Sequence, residues 1–199
     1  MKLDIILSGV GGQGILSIAA VIGEAALANG LNIKQAEVHG MSQRGGDVQS
    51  NLRISSAPIS SDLIARGCAA AIISLEPMEA LRYLPYLSKQ GWIVTNSVPF
   101  VNIPNYPDHD SLLEHLNSLA NVILLDVDAI AKENSVSRAV NIVLLGAAAP
   151  VLGLEYDKLE QGIRRIFTRK GDAVVDMNIK ALGAGRDAAM KILNDRKHE

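Results

Sequence analysis

The chain is predicted to adopt an α/β fold: three layers, α/β/α, on a mostly parallel sheet, with a helical C-terminal third. Three observations predict it. Short aliphatic runs alternate with segments of helical periodicity, the pattern of βαβ units. The first run ends in a glycine-rich turn that opens straight into a helical pattern. From Val136 onward the pattern is almost wholly helical, with no strong strand. A length of 199 residues fits one domain spanning 1–199. Such a chain buries about 70% of its unfolded surface and folds without disulfide staples.

The elements follow in order. Residues 3–8 are an apolar run and predict the first strand, with residues 15–28 as the first helix beyond the glycines. Residues 32–38 and 48–55 predict two further strands; a short loop joins them, so they are expected to pair as an antiparallel hairpin. Strands are also expected at 69–75, 92–96 and 121–126, and helices at 77–89, 109–118, 137–152, 156–167 and 172–194. Glu76-Pro77 puts proline at a first helical position, and Pro107-Asp108 precedes the run that begins at His109. Gly91 and Gly171 are read as punctuating helix ends or starts. Pro99, Pro104 and Pro107 mark an extended surface loop.

Composition excludes several function classes. Nineteen basic against 21 acidic residues give a net charge of −2, with no block of like charge, which argues against nucleic-acid binding through a basic face. A single cysteine, Cys68, rules out an intrachain disulfide and any all-cysteine zinc or iron–sulfur site. It stands in an apolar run and is expected to be a buried, inert thiol. His39, His109, His115 and His198 are scattered and predict no metal site. No run is long enough for a membrane span, and the first residues lack a signal-peptide pattern, so a cytoplasmic location is expected.

The candidate site begins with Gly9-Val10-Gly11-Gly12-Gln13-Gly14. Gly9, Gly11 and Gly14 fit the G-x-G-x-x-G spacing of Rossmann-like sheets. Glycines admit a ligand to the backbone, and the unpaired N–H groups of a helix start face an anion. The turn lacks the lysine of a phosphate-binding loop, because Ile15-Leu16 follows Gly14. A dinucleotide site also needs an acidic residue at the end of the second strand; Glu37 is the only candidate. A second cluster, residues 37–47, is expected beyond the second strand at the same sheet edge. There Ser42, Arg44, Gly45 and Gly46 combine a guanidinium fork with a backbone that can approach closely. Asn141 lies in an otherwise apolar helical pattern; it is either satisfied by a backbone group or turned toward the crevice or an interface. Asp126 and Asp128 are read as helix caps. No nucleophile–base arrangement is visible, so no catalytic residue is assigned to the chain.

On the two glycine motifs, together with Asn51-Leu52-Arg53, the stretch from Glu76 to Tyr83 and Ala139-Val140-Asn141, the chain resembles the gamma-type domain of 2-oxoacid:ferredoxin oxidoreductases. Glu76 to Tyr83 points to the indolepyruvate branch of that family and its small, beta-type subunits. The resemblance covers the whole chain. One departure is Ala147-Ala148-Ala149-Pro150 after Gly146, where the proline should kink or end the helical run. The resemblance implies a thiamine diphosphate-dependent, ferredoxin-linked oxidation of an arylpyruvate to an aryl-acetyl-CoA. It implies a large alpha subunit as partner, which would carry the thiamine diphosphate and the iron–sulfur clusters and reach ferredoxin through the complex. This chain would close the active site and bind coenzyme A or substrate through Gly9, Gly11, Gly12, Gln13, Gly14, Ser42, Arg44, Gly45, Gly46 and Asn141, holding no cofactor firmly on its own. In isolation it would be inactive and could pair with itself through the surface meant for its partner. Two other readings stand beside this one: a regulatory or structural module, and a free-standing NAD(P)-binding protein.

Overall fold

A computed structural model describes residues 1–39 and 45–196. The aliphatic runs form six strands: β1 (Lys2–Val10), β2 (Asn32–His39), β3 (Asp47–Ser55), β4 (Ala69–Ser74), β5 (Leu87–Asn96) and β6 (Val122–Leu125). They make one sheet in the order β2-β3-β1-β4-β5-β6. β1, β4, β5 and β6 are parallel. β3 runs antiparallel to both β1 and β2, with Val10 opposite Asp47 and His39 opposite Val48. The expected hairpin is therefore present, and it wedges an antiparallel strand between β1 and β2. Strand order reverses at β1, so the carboxyl ends of β1 and β4 flank a topological switch point.

Alternation along β1 feeds two cores. Ile5 and Leu7 face a large cluster with α1 (Ile15–Ala28), α5 (Val140–Leu152), α6 (Tyr156–Phe167) and α7 (Asp172–Asp195). Ile6 faces the other side, where Ala80 and Tyr83 of the α2 region (Pro77–Arg82) and Leu116 of α3 (His109–Asn117) close a smaller cluster. The expected three layers follow, and the helical C-terminal third covers one face. α5 and α7 pack backbone to backbone: a Cβ on Gly146 would strike the Leu182 carbonyl, and one on Gly185 the Val143 carbonyl. Pro150 sits in the last turn of α5 and does not interrupt it; Gly153, at φ +66°, ends the helix.

Several boundaries differ from expectation. The helix expected over 77–89 ends at Arg82, because Pro85 follows and cannot donate to a continuing helix; a 3₁₀ turn, Leu84–Tyr86, leads into β5. Gly91 lies inside β5 rather than at a helix end. Its missing side chain lets Ala69 O approach, since a Cβ there would lie 2.8 Å from that oxygen, at the register shift between β4 and β5. Gly171 does begin α7. A short helix, α4 (Val127–Glu133), was not expected; Asp126 caps it, its carboxylate accepting from the Ala129 N–H at 2.7 Å. Cys68 is exposed, not buried, because it belongs to the turn before β4, where its N–H donates to Ala65 O. Among the described residues, no helix is long and apolar enough to cross a membrane, and no cluster of three metal-ligating side chains occurs.

Candidate functional site

The first glycine turn leaves the end of β1 and enters α1 through Gly14, which has a left-handed backbone, φ +89°. No acidic residue lies in the first turn of α1, so no carboxylate of its own offsets the positive end of this helix. Gln13 shapes the turn. Its Oε1 accepts from the Val10 N–H at 2.7 Å, and its Nε2 donates to Leu75 O at 3.2 Å beyond β4. Both ends of this amide thus staple the turn across the switch point. Asn141, in the first turn of α5, donates from Nδ2 to Gly14 O at 3.1 Å. A Cβ on Gly14 would lie 2.8 Å from that Nδ2, so only glycine fits beneath the amide.

The second glycine turn meets the first. Gly11 N–H donates to Gly46 O at 2.8 Å, and Gly45 N–H reaches toward Gly11 O at 3.4 Å. The convergence expected for the two motifs is therefore a direct backbone contact. A third segment joins them: Asn102, in the loop between β5 and α3, donates from Nδ2 to Gly45 O at 2.7 Å. Its Oδ1 is buried with no hydrogen-bond partner among the described residues. Ser42 and Arg44 lie outside the described residues.

Beside the switch point stands a polar cluster at the start of α2. Glu76 is fully buried and caps the helix, its Oε2 accepting from the Glu79 N–H at 2.8 Å. Its Oε1 accepts from the Tyr106 hydroxyl and, at 3.4 Å, from the Phe100 N–H. Glu79 is buried too and pairs with Arg82 through two bonds of 2.8 and 3.1 Å. Burial pushes the Glu79 carboxyl above the usual carboxylate range, against the pull of Arg82. Burial also raises the Tyr106 phenol, reinforced by its bond to Glu76. On the amino edge of the sheet, Arg53 forks onto the buried Asp4 at 2.8 and 3.2 Å and donates to Ser61 O and Leu63 O, which gives that motif arginine a structural task.

The pyruvate ferredoxin/flavodoxin oxidoreductase family model matches residues 4–188. The chain belongs to the pyruvate ferredoxin/flavodoxin oxidoreductase family, among its IorB-type small subunits. It is 34% identical to the indolepyruvate oxidoreductase subunit IorB of Archaeoglobus fulgidus, over 96% of both chains. It is 35% identical to the IorB subunit of Pyrococcus horikoshii, over 97% of this chain and 98% of that one. Its fold matches the 2-oxoglutarate:ferredoxin oxidoreductase of Magnetococcus marinus with a TM-score of 0.74 at 20% identity, a structure with 2-oxoglutarate, coenzyme A and succinyl-CoA bound. The match covers 96% of this chain but only 31% of that one, so the chain spans about a third of the longer polypeptide.

Within this pyruvate ferredoxin/flavodoxin oxidoreductase fold, the antiparallel β3 bears on the dinucleotide reading. A dinucleotide site sets its acidic residue on a strand next to β1. Here β3 lies between, and Glu37 is exposed on the sheet's edge strand. Glu76, Asn102 and Tyr106 are polar residues beside the switch point and the second glycine turn that sequence reasoning did not single out as site residues. Their one local signal was Glu76 before Pro77, which reads as a cap and says nothing of partners 24 and 30 residues away.

Proposed function

We propose that this chain is the small subunit of a thiamine diphosphate-dependent oxidoreductase acting on an arylpyruvate such as indolepyruvate. The whole enzyme would convert the 2-oxoacid, coenzyme A and oxidised ferredoxin to an aryl-acetyl-CoA, carbon dioxide and reduced ferredoxin. The hydrogen-bonded junction of the two glycine turns, Gly11 N–H to Gly46 O, carries the reading of this chain's part. It puts two stretches of side-chain-free backbone and a helix N-terminus at one switch point, an arrangement that suits an anionic group. Gly9, Gly11, Gly12, Gln13, Gly14, Gly45, Gly46 and Asn141 would shape the crevice. Ser42 and Arg44 would contact the anion, either a coenzyme A phosphate or the substrate carboxylate. Gln13 and Asn141 would act through the turn they hold, since their amides bind its backbone.

The thiamine diphosphate and iron–sulfur clusters belong, in this reading, to a large alpha subunit. One cysteine cannot supply a cluster's usual ligands. Thiamine diphosphate would supply the electron sink for decarboxylation, and this chain would exclude water and orient the acceptor thiol. Exposed Val98, Phe100, Val101 and Ile103 beside the second glycine turn support an apolar contact between that edge and the partner.

The test is anaerobic co-purification with the alpha subunit, followed by coenzyme A-dependent turnover of indolepyruvate. The chain alone is expected to be inactive. In the complex, Arg44→Ala should lower kcat/KM for coenzyme A by about tenfold or more, the loss of a charge-assisted contact. Unchanged kinetics for both coenzyme A and indolepyruvate in that variant would remove Arg44 from the site. A complex that turns over equally well without this chain would leave it a regulatory or structural module.

A further inference from the structure

We propose that Glu76 is the positioning residue of the crevice between the glycine turns, acting through the loop between β5 and α3 and through Asn102. Among the described residues its carboxylate meets only neutral donors: the Tyr106 hydroxyl and Phe100 N–H on one oxygen, the Glu79 N–H on the other. No cation among the described residues pairs with it. A buried carboxylate without a counter-charge is costly and is tolerated where its acceptors are needed. Three donors converge on two oxygens here. A glutamine would turn an amide N–H toward one of them, so the position calls for an acceptor-only group. The Glu76 backbone is fixed as well: the Ser74 hydroxyl donates to its carbonyl at 2.7 Å and accepts from its N–H at 3.3 Å.

What Glu76 holds is a segment with little core of its own. Residues 97–107 carry no charged side chain, and Phe100 and Val101 are 46% and 67% exposed. The segment is kept in place by polar ties: Glu76 to Tyr106 and Phe100, Asn96 Oδ1 to the Val98 N–H, and His109 Nε2 within 2.8 Å of Ser97 O. From it, Asn102 reaches Gly45 O, one residue from the Gly46 carbonyl that accepts from Gly11. Hydrogen bonds at Glu76 and at Asn102, joined by the loop backbone between Phe100 and Tyr106, thus link the end of β4 to both glycine turns. The inference rests on the proposed crevice only for its effect on activity; the geometry is tested on its own.

The experiment is hydrogen exchange by mass spectrometry on the full chain, with Tyr106→Phe, Glu76→Gln and Asn102→Ala, beside coenzyme A kinetics of the same variants in the complex. Tyr106→Phe and Glu76→Gln are expected to speed exchange about fivefold both over 98–106 and over 45–48, the effect of one lost buried hydrogen bond. Asn102→Ala should speed 45–48 and leave the amides of Asn105 and Tyr106 unchanged. In the complex, the KM for coenzyme A should rise about fivefold with kcat within about twofold, a split that a general loss of folded protein does not produce. If Glu76→Gln fails to fold, the other two variants carry the test. Exchange over 45–48 that stays at the wild-type rate while 98–106 loosens would overturn the proposal. Faster exchange over 45–48 with unchanged coenzyme A kinetics would uphold the positioning role and overturn the coenzyme A reading of the crevice.

Discussion

Gly14 and Asn141 show how one residue's identity depends on another's. At φ +89° an alanine costs about 1–2 kcal/mol in backbone strain. Its Cβ would also displace the Asn141 amide, so Gly14→Ala should lose the 3.1 Å bond as well. Asn141→Ala loses that bond alone, at about 1 kcal/mol. The double variant counts the bond once, so its cost should fall short of the sum by about 1 kcal/mol, read from urea midpoints of the four proteins. Strict additivity would show that the amide and the turn do not meet. The glycines were legible because their spacing is local. The roles of Gln13 and Glu76 were not, because each is set by partners that only the folded sheet brings near, Leu75 for one and Tyr106 for the other. Asn141 was half legible: a lone amide among aliphatics announces a partner, and the fold supplies Gly14.

At the scale of elements, periodicity located the six strands and most helices, and failed where a single residue sets the stop. Pro85 ends the helix that apolar spacing would have carried to 89, and strand pairing with β4 then claims Leu87 onward. α4 escaped because seven residues give too little period to register, although its cap, Asp126, was readable. That cap carries a prediction. Asp126→Ala removes the acceptor of the Ala129 N–H and should cost about 1 kcal/mol by urea denaturation. Asp126→Asn keeps an acceptor oxygen and should cost only a few tenths. Equal losses in the two variants would mean that charge at the helix start, not the hydrogen bond, holds α4. The order of β2 and β3 was the least legible feature, since a hairpin pattern does not say which of its strands joins β1.

At the scale of the molecule, the sheet has a core on each face, and one buried and two half-buried tyrosines couple that packing to alkaline pH. The Tyr83 phenol lies in the smaller core, where burial pushes it up to about 12. Burial likewise raises Tyr106, together with its bond to Glu76, and Tyr156 against the helical layer. An unfolded phenol titrates near ~10. Between these values the folded chain keeps protons that the unfolded chain gives up, so each raised phenol stabilises the unfolded state relative to the folded one as pH rises. The folded state's advantage is complete below about pH 10 and is lost through the window up to about 12 for Tyr83, at up to roughly 1.4 kcal/mol per pH unit. Urea midpoints measured from pH 8 upward should therefore hold level and then fall beyond about pH 10. Because the two cores share one sheet, the loss should come as a single transition, the same by Trp92 fluorescence and by far-ultraviolet circular dichroism. Tyr83→Phe keeps the ring in the core and removes the proton, so its midpoint should fall less steeply with pH than the wild type's. Parallel curves for the two proteins would mean that the Tyr83 phenol ionises alike in both states, and that its oxygen is not held in the core.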